Sequence, residues 1–157
     1  MSLIIGITAV LAVLGLAGIF GTDLSVAVVQ RAVYAELDDP TLVRIIGRGH
    51  YYGDRRFPVI GIGGTVATAA TALLAFLGGA PLAGPLAAAA LILVIVWLLL
   101  FVRVAKPINA RFTAAAAAGE VPEDARALQA RWESIIPLRA GLLAVAIALL
   151  CATLFLL

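Results

Sequence analysis

Asp23 and Arg139 are the residues from which a chemical reading of this sequence starts. Asp23 is the only acid within an apolar span, directly after the uncharged run Leu3–Thr22, and Arg139 directly precedes the uncharged run Ala140–Leu157. Ionisable groups at such depth usually face the protein interior and find partners. Asp23 shares a helical face with Ala27, Gln30 and Tyr34, a polar stripe ill suited to lipid. Trp132 shares a face with Arg139 in the series Leu128, Trp132, Ile135, Arg139. His50 is the single histidine, and its imidazole type titrates near neutrality without special tuning. A site on one side of a membrane could gather Asp23, His50, Arg55, Asn109, Trp132 and Arg139. The plainer reading makes Arg139 a headgroup anchor beside an interfacial Trp132. It makes His50 a solvated loop residue and Asn109 a helix-end hydrogen-bonder.

The elements that must position these groups follow from composition. Of 157 residues 64% are hydrophobic and 13% charged, with mean hydropathy +1.14. A soluble domain has about 45–50% apolar and about 25% charged residues. The run from Phe57 to Val102 carries no charge and is too long for one crossing. The Gly/Pro clusters of "GGAPLAGP" (Gly78–Pro85) divide it by a tight turn. Each piece then approaches the roughly 20 residues that cross about 30 Å of hydrocarbon. The expected fold is all-α, a polytopic four-transmembrane-helix bundle in one domain over 1–157. Its helices fall at 3–30, 58–78, 85–105 and 136–157, joined by cytoplasmic loops at 31–57 and 106–135.

Charge sets the expected orientation. All 11 Lys and Arg lie in Arg31–Arg56 or Arg103–Arg139. The positive-inside rule places both stretches in the cytoplasm and both termini on the other side. The first span lacks a basic leader and is longer than a signal-peptide core of about 7–15 residues, so it reads as a retained helix. The sequence pI is about 9.1, but the basic residues alternate with nine acidic ones. That pattern suits a lipid bilayer surface and not nucleic acid. One cysteine, Cys151, excludes an intrachain disulfide and a thiol-metal cluster. Arginine dominance and abundant alanine point to a bacterial source and its cytoplasmic (inner) membrane.

Local signals fill in the connections. Asp39 is expected to cap a short interfacial helix that begins at Pro40 and ends at Gly47 and Gly49, with His50 in the following loop. Pro107 should kink or break the third helix. If the helix resumes, Val102, Ala105, Asn109 and Phe112 share a face. "TAAAAAGE" (Thr113–Glu120) reads as mobile, Pro122–Asp124 as a helix start and Pro137 as a bend. Gly15, Gly18, Thr22 and Ser25, with Gly61–Thr71, form small-residue faces for helix packing or for an oligomer.

Four stretches in this order resemble the anthrone-oxygenase-like family of small four-helix membrane proteins. They are "GIFGTDLSVAVVQRAV", a His-containing loop before the second span, "KPINARF", and "RWESIIPLR". The resemblance implies a membrane protein some of whose relatives oxidise anthrones to anthraquinones with O₂, without metal or flavin. By matched position it makes His50, Asn109, Trp132 and Arg139 the candidate site. The residue types suit that chemistry. His50 would be the base that forms an enolate, and Arg139 and Asn109 would face the developing oxyanion. Asp23 and Arg55 would help hold the substrate, and Trp132 and Tyr51 would line a slot for a flat aromatic molecule.

Other classes remain open on sequence alone. A bound quinone or a haem held by His50 alone is the cofactor alternative; two-histidine ligation is excluded. A transporter is disfavoured by the absence of a visible inverted repeat. A non-catalytic protein that packs against a membrane partner subunit, or assembles as a homo-oligomer, is the main alternative to an enzyme. Topology is testable directly with single cysteines at Ser2 and Arg126 in a Cys151→Ala background. Impermeant thiol labelling should reach them from opposite sides of the membrane, and labelling from the same side refutes the orientation.

Overall fold

The computed structural model describes all 157 residues as four long helices. These are α1 (Ser2–Glu36), α2 (Asp39–Leu77), α3 (Ala83–Ala118) and α4 (Ala125–Phe155). All four are long and apolar enough to cross a membrane. α1 packs against α2 and α4, and α3 against α2 and α4, which closes an antiparallel four-helix bundle. Three buried clusters run down its length. One around Ile5, Ala75 and Ala83 lies at the end holding both termini, and one around Leu16, Val94 and Leu143 lies at mid-height. The third, around Leu42, Phe112 and Ile136, lies at the charged end.

The expected loops are largely helical extensions of the spans. α2 runs unbroken from Asp39 through the region expected to be a loop, so His50 sits inside a helix. Its cap is Asp38, one residue before the expected Asp39: the Asp38 carboxylate accepts from the Thr41 N–H at 2.8 Å, with Pro40 in the first turn. That hydrogen bond holds the Asp38 carboxyl below its ordinary range. Gly47 does not end the helix. A Cβ there would collide with the Phe112 carbonyl and the Ala116 side chain, so glycine lets α3 pass against α2. "TAAAAAGE" is likewise helical to Ala118, and Gly119 at φ 71° closes that helix in the left-handed conformation.

Proline is absorbed without breaking α3. A π-helical turn at Phe101–Ala105 immediately precedes Pro107, whose ring cannot donate a helix hydrogen bond. The wider turn also shifts the face. Ala105, Asn109 and Phe112 are buried together as expected, whereas Val102 points outward. A second π turn, Val26–Gln30, lies in α1. In α4 the regular helix is interrupted at Ile135, two residues before Pro137.

α1 and α2 cross at Gly15 and Gly64. A Cβ on Gly15 would lie 2.7 Å from the Gly64 Cα. Close backbone approach of this kind is how helices associate in lipid. Because that neighbour is backbone, Gly15→Leu should destabilise the protein by about 1–3 kcal/mol. Gly63, where a Cβ meets nothing within 4 Å, should accept leucine without loss. Thermal unfolding in detergent compares the two, and equal midpoints would exclude this crossing.

Candidate functional site

Between the middle and the charged-end clusters the bundle holds a partly open cavity of about 920 Å³. Gly18 and Gly21 of α1 and Gly61 of α2 line it beside the glycine crossing. A Cβ on Gly18 would still meet the Ile60 side chain at 3.3 Å, but one on Gly21 would meet nothing within 4 Å.

One wall is a buried ion pair. Arg139 Nη2 lies 3.1 Å from Asp23 Oδ1, and the side chains are only 6% and 5% exposed. The indole N–H of Trp97 donates to Asp23 Oδ2 at 3.1 Å. The Arg139 guanidinium sits 5.0 Å from the Trp97 ring and 5.7 Å from the Phe101 ring, and those two rings stack with planes 5° apart. Arg139 therefore points inward and is not a headgroup anchor. The guanidinium is thus held by a carboxylate and two aromatic rings with little exposure of its side chain.

The other wall is a chain of hydrogen bonds. The Trp132 indole N–H donates to Asn109 Oδ1 at 2.9 Å, and Asn109 Nδ2 donates to the Asp54 carboxylate at 3.0 and 3.2 Å. The His50 ring lies 5.3 Å from that of Trp132, with the planes tilted by 56°. Helical periodicity sets His50 and Asp54 one turn apart on α2, so both reach this wall.

Three buried polar side-chain atoms in the whole chain lack a hydrogen-bond partner: His50 Nε2, Gln129 Oε1 and Arg139 Nε. All three belong to residues lining this cavity. Buried polar groups are rarely left unpaired, and such a cluster calls for an explanation. Together they comprise one donor, one acceptor and one imidazole nitrogen that can be either.

The cavity thus brings together Asp23, His50, Asn109, Trp132 and Arg139. It leaves out Arg55 and Tyr51. Arg55 Nη1 donates to the Tyr51 carbonyl at 3.0 Å and its guanidinium lies 3.7 Å over the Tyr51 ring, on an exposed face of α2. Both were grouped with His50 by sequence proximity, but a helix turns neighbours by about 100° each, onto different faces. Trp97, Phe101, Asp54 and Gln129 were missed. Asp54 is recognisable once 39–77 is known to be helix, and Gln129 precedes Trp132 by one turn; Trp97 carries no such signal within its apolar run. No three His, Cys, Asp or Glu side chains converge as metal ligands.

No family model, curated protein or solved structure matches the chain.

Removing one member of the ion pair strands the other in the low-dielectric interior. Asp23→Leu should therefore cost about 3–5 kcal/mol, and the double variant Asp23→Leu/Arg139→Leu should recover much of it. Chemical unfolding of the three proteins measures this. A double variant no better than the single would show the two side chains acting independently.

Proposed function

We propose that this chain is a bacterial inner-membrane enzyme, with both termini outside, that takes a flat hydroxylated aromatic ketone into the cavity and oxidises it with O₂. The observation that carries this reading is the placement of all three unpartnered buried polar atoms on residues lining one cavity. The cavity's size lies in the roughly 300–1,000 Å³ range of small-molecule pockets. Its apolar contributors, such as Phe57, Trp97 and Trp132, suit an aromatic body.

An anthrone-type substrate supplies complementary groups. Its ketone oxygen accepts from Arg139 Nε–H, a ring hydroxyl donates to Gln129 Oε1, and its acidic CH₂ is presented to His50 Nε2. His50 removes a proton from that carbon, and the charge moves onto the ketone oxygen, where the Arg139 N–H stabilises it. The enolate carbon transfers its electrons to O₂ and forms a C–O bond, giving a hydroperoxide after protonation. Loss of a second C–H proton and cleavage of the O–O bond leave the quinone and one water. One CH₂ is oxidised to C=O and one O₂ is reduced, so no further oxidant or cofactor is required.

Asn109 has a supporting part here. Its oxygen is held by Trp132 and its nitrogen by Asp54, so it fixes the indole beside His50 and leaves the oxyanion to Arg139. A non-catalytic packing partner has less to stand on, because Gly15 and Gly64 are consumed against each other within the chain.

Oxygen uptake with anthrone, corrected for autoxidation, tests the reading. His50→Gln should lower the enzymatic rate by about 10²–10⁴-fold while the protein elutes and melts as wild type. A rate unchanged by this substitution would remove His50 as the base.

A further inference from the structure

Resting on that reading, we infer that the ligand reaches the cavity sideways from the bilayer, through a glycine-lined gap between α1 and α2, and lies against a glycine-bearing stripe of α2. The gap has a closed upper end and an open lower one. At Gly15 the two backbones touch, at Gly18 only a side chain intervenes, and at Gly21 there is open space. Across the gap stands Gly61, whose Cβ would find only the Ile19 side chain, at 3.8 Å.

The depth of this opening identifies the medium it faces. Gly18 and Gly21 fall in the uncharged run Leu3–Thr22, and Gly61 and Ile62 in the run from Phe57 to Val102. Ile62 lines the cavity yet is 64% exposed, so the cavity breaks the bundle surface where an apolar side chain faces hydrocarbon. Of the four charged contributors, Asp54 and Lys106 lie on the side toward the basic stretches, and Asp23 and Arg139 are paired with each other inside. A lipid-soluble molecule meets the apolar opening first, with its oxygens directed inward to Arg139, whose side chain is 6% exposed and whose Nε is unpartnered.

Along α2, Gly49, Gly53, Phe57 and Gly61 recur every four residues and all line the cavity. No Cβ at Gly49 or Gly53 would meet backbone: the first finds nothing within 4 Å and the second only Phe57, at 3.7 Å. These glycines are not required by helix packing, in contrast to Gly15, Gly47 and Gly64. In a helix interior glycine is less favourable than alanine, so their presence fits a surface kept flat for a planar ligand. A side chain at Gly53 would occupy the slot, and one at Gly21 would obstruct the way into it.

The chain's two tryptophans, Trp97 and Trp132, both line the cavity, so intrinsic fluorescence reports its occupation. The experiment titrates 9,10-anthraquinone, delivered in lipid, into protein reconstituted in nanodiscs. Wild type and the lipid-facing control Gly63→Leu should show the same saturable quenching. Gly21→Leu should slow the approach to saturation by about tenfold or more, and Gly53→Leu should weaken binding by a similar factor. Melting temperatures matching Gly63→Leu establish that both variants are folded. Saturable quenching with unchanged kinetics in Gly21→Leu would overturn the lateral route while leaving the cavity reading in place. Unchanged affinity in Gly53→Leu would overturn the flat slot. Absence of saturable quenching in wild type would remove the cavity reading, and this inference with it.

Discussion

A carboxylate and a guanidinium held 3.1 Å apart inside an apolar bundle dominate the physics of this protein. Burying either ion alone costs several kcal/mol, so neither can be tolerated without the other. Asp23 is on α1, Arg139 on α4, and Trp97, which donates to Asp23, on α3. Three helices are thereby held at one depth and with defined faces inward. Phe101 completes the enclosure by stacking on Trp97 beneath the guanidinium. Such a pair contributes modestly to net stability compared with an apolar replacement; what it secures is relative register and a polar surface deep in the bundle.

The fourth helix, α2, is placed by sterics and not by charge. Gly15 against Gly64 brings α1 and α2 to backbone contact in the apolar band, and Gly47 lets α2 and α3 close again at the charged end. Exposed pairs tie that end together. Arg126 bridges Asp39 and the carbonyls of Tyr34 and Leu37, and Arg111 forms a two-pronged pair with Asp124 at 2.8 and 2.9 Å. Between these two regions of contact the helices stand apart, and the cavity is the space they leave. Its walls are polar because the ion pair and the Trp132–Asn109–Asp54 chain both fall at that level.

Two π turns adjust the aim of side chains around this space. The one before Pro107 absorbs a residue that would otherwise disrupt α3, and it turns Asn109 toward Trp132 and Asp54 while Val102 faces outward. The one in α1 follows Asp23, and beyond it Tyr34 donates to Gln30 at 2.7 Å along the cavity's edge. Each insertion costs little in a long helix and rotates everything beyond it. Positional precision at the site is thus obtained from local backbone irregularity within otherwise regular spans.

The sequence by itself determined the all-helical character of the chain and four helices long and apolar enough to cross a membrane, because uncharged runs of this length have few other stable forms in lipid. It also singled out Asp23 and Arg139, since an ionisable group beside such a run is expensive wherever it goes. Helical periodicity correctly joined Trp132 to Arg139 and Asn109 to Phe112. It failed where a local signal has two meanings. Gly47 and Gly49 read as helix ends, but one is a packing contact and the other lines the cavity, a distinction made by α3 and not by the glycines themselves. Reading 31–57 as a loop then grouped Tyr51 and Arg55 with His50 and hid Asp54, which shares the inner face only in a helix. Trp97 carries no local mark at all; its role arises from Asp23 on another helix. Sequence periodicity fixes which residues share a face of one helix. Only the packed bundle decides which faces meet, because that depends on side-chain shape and on the π turns that shift the register.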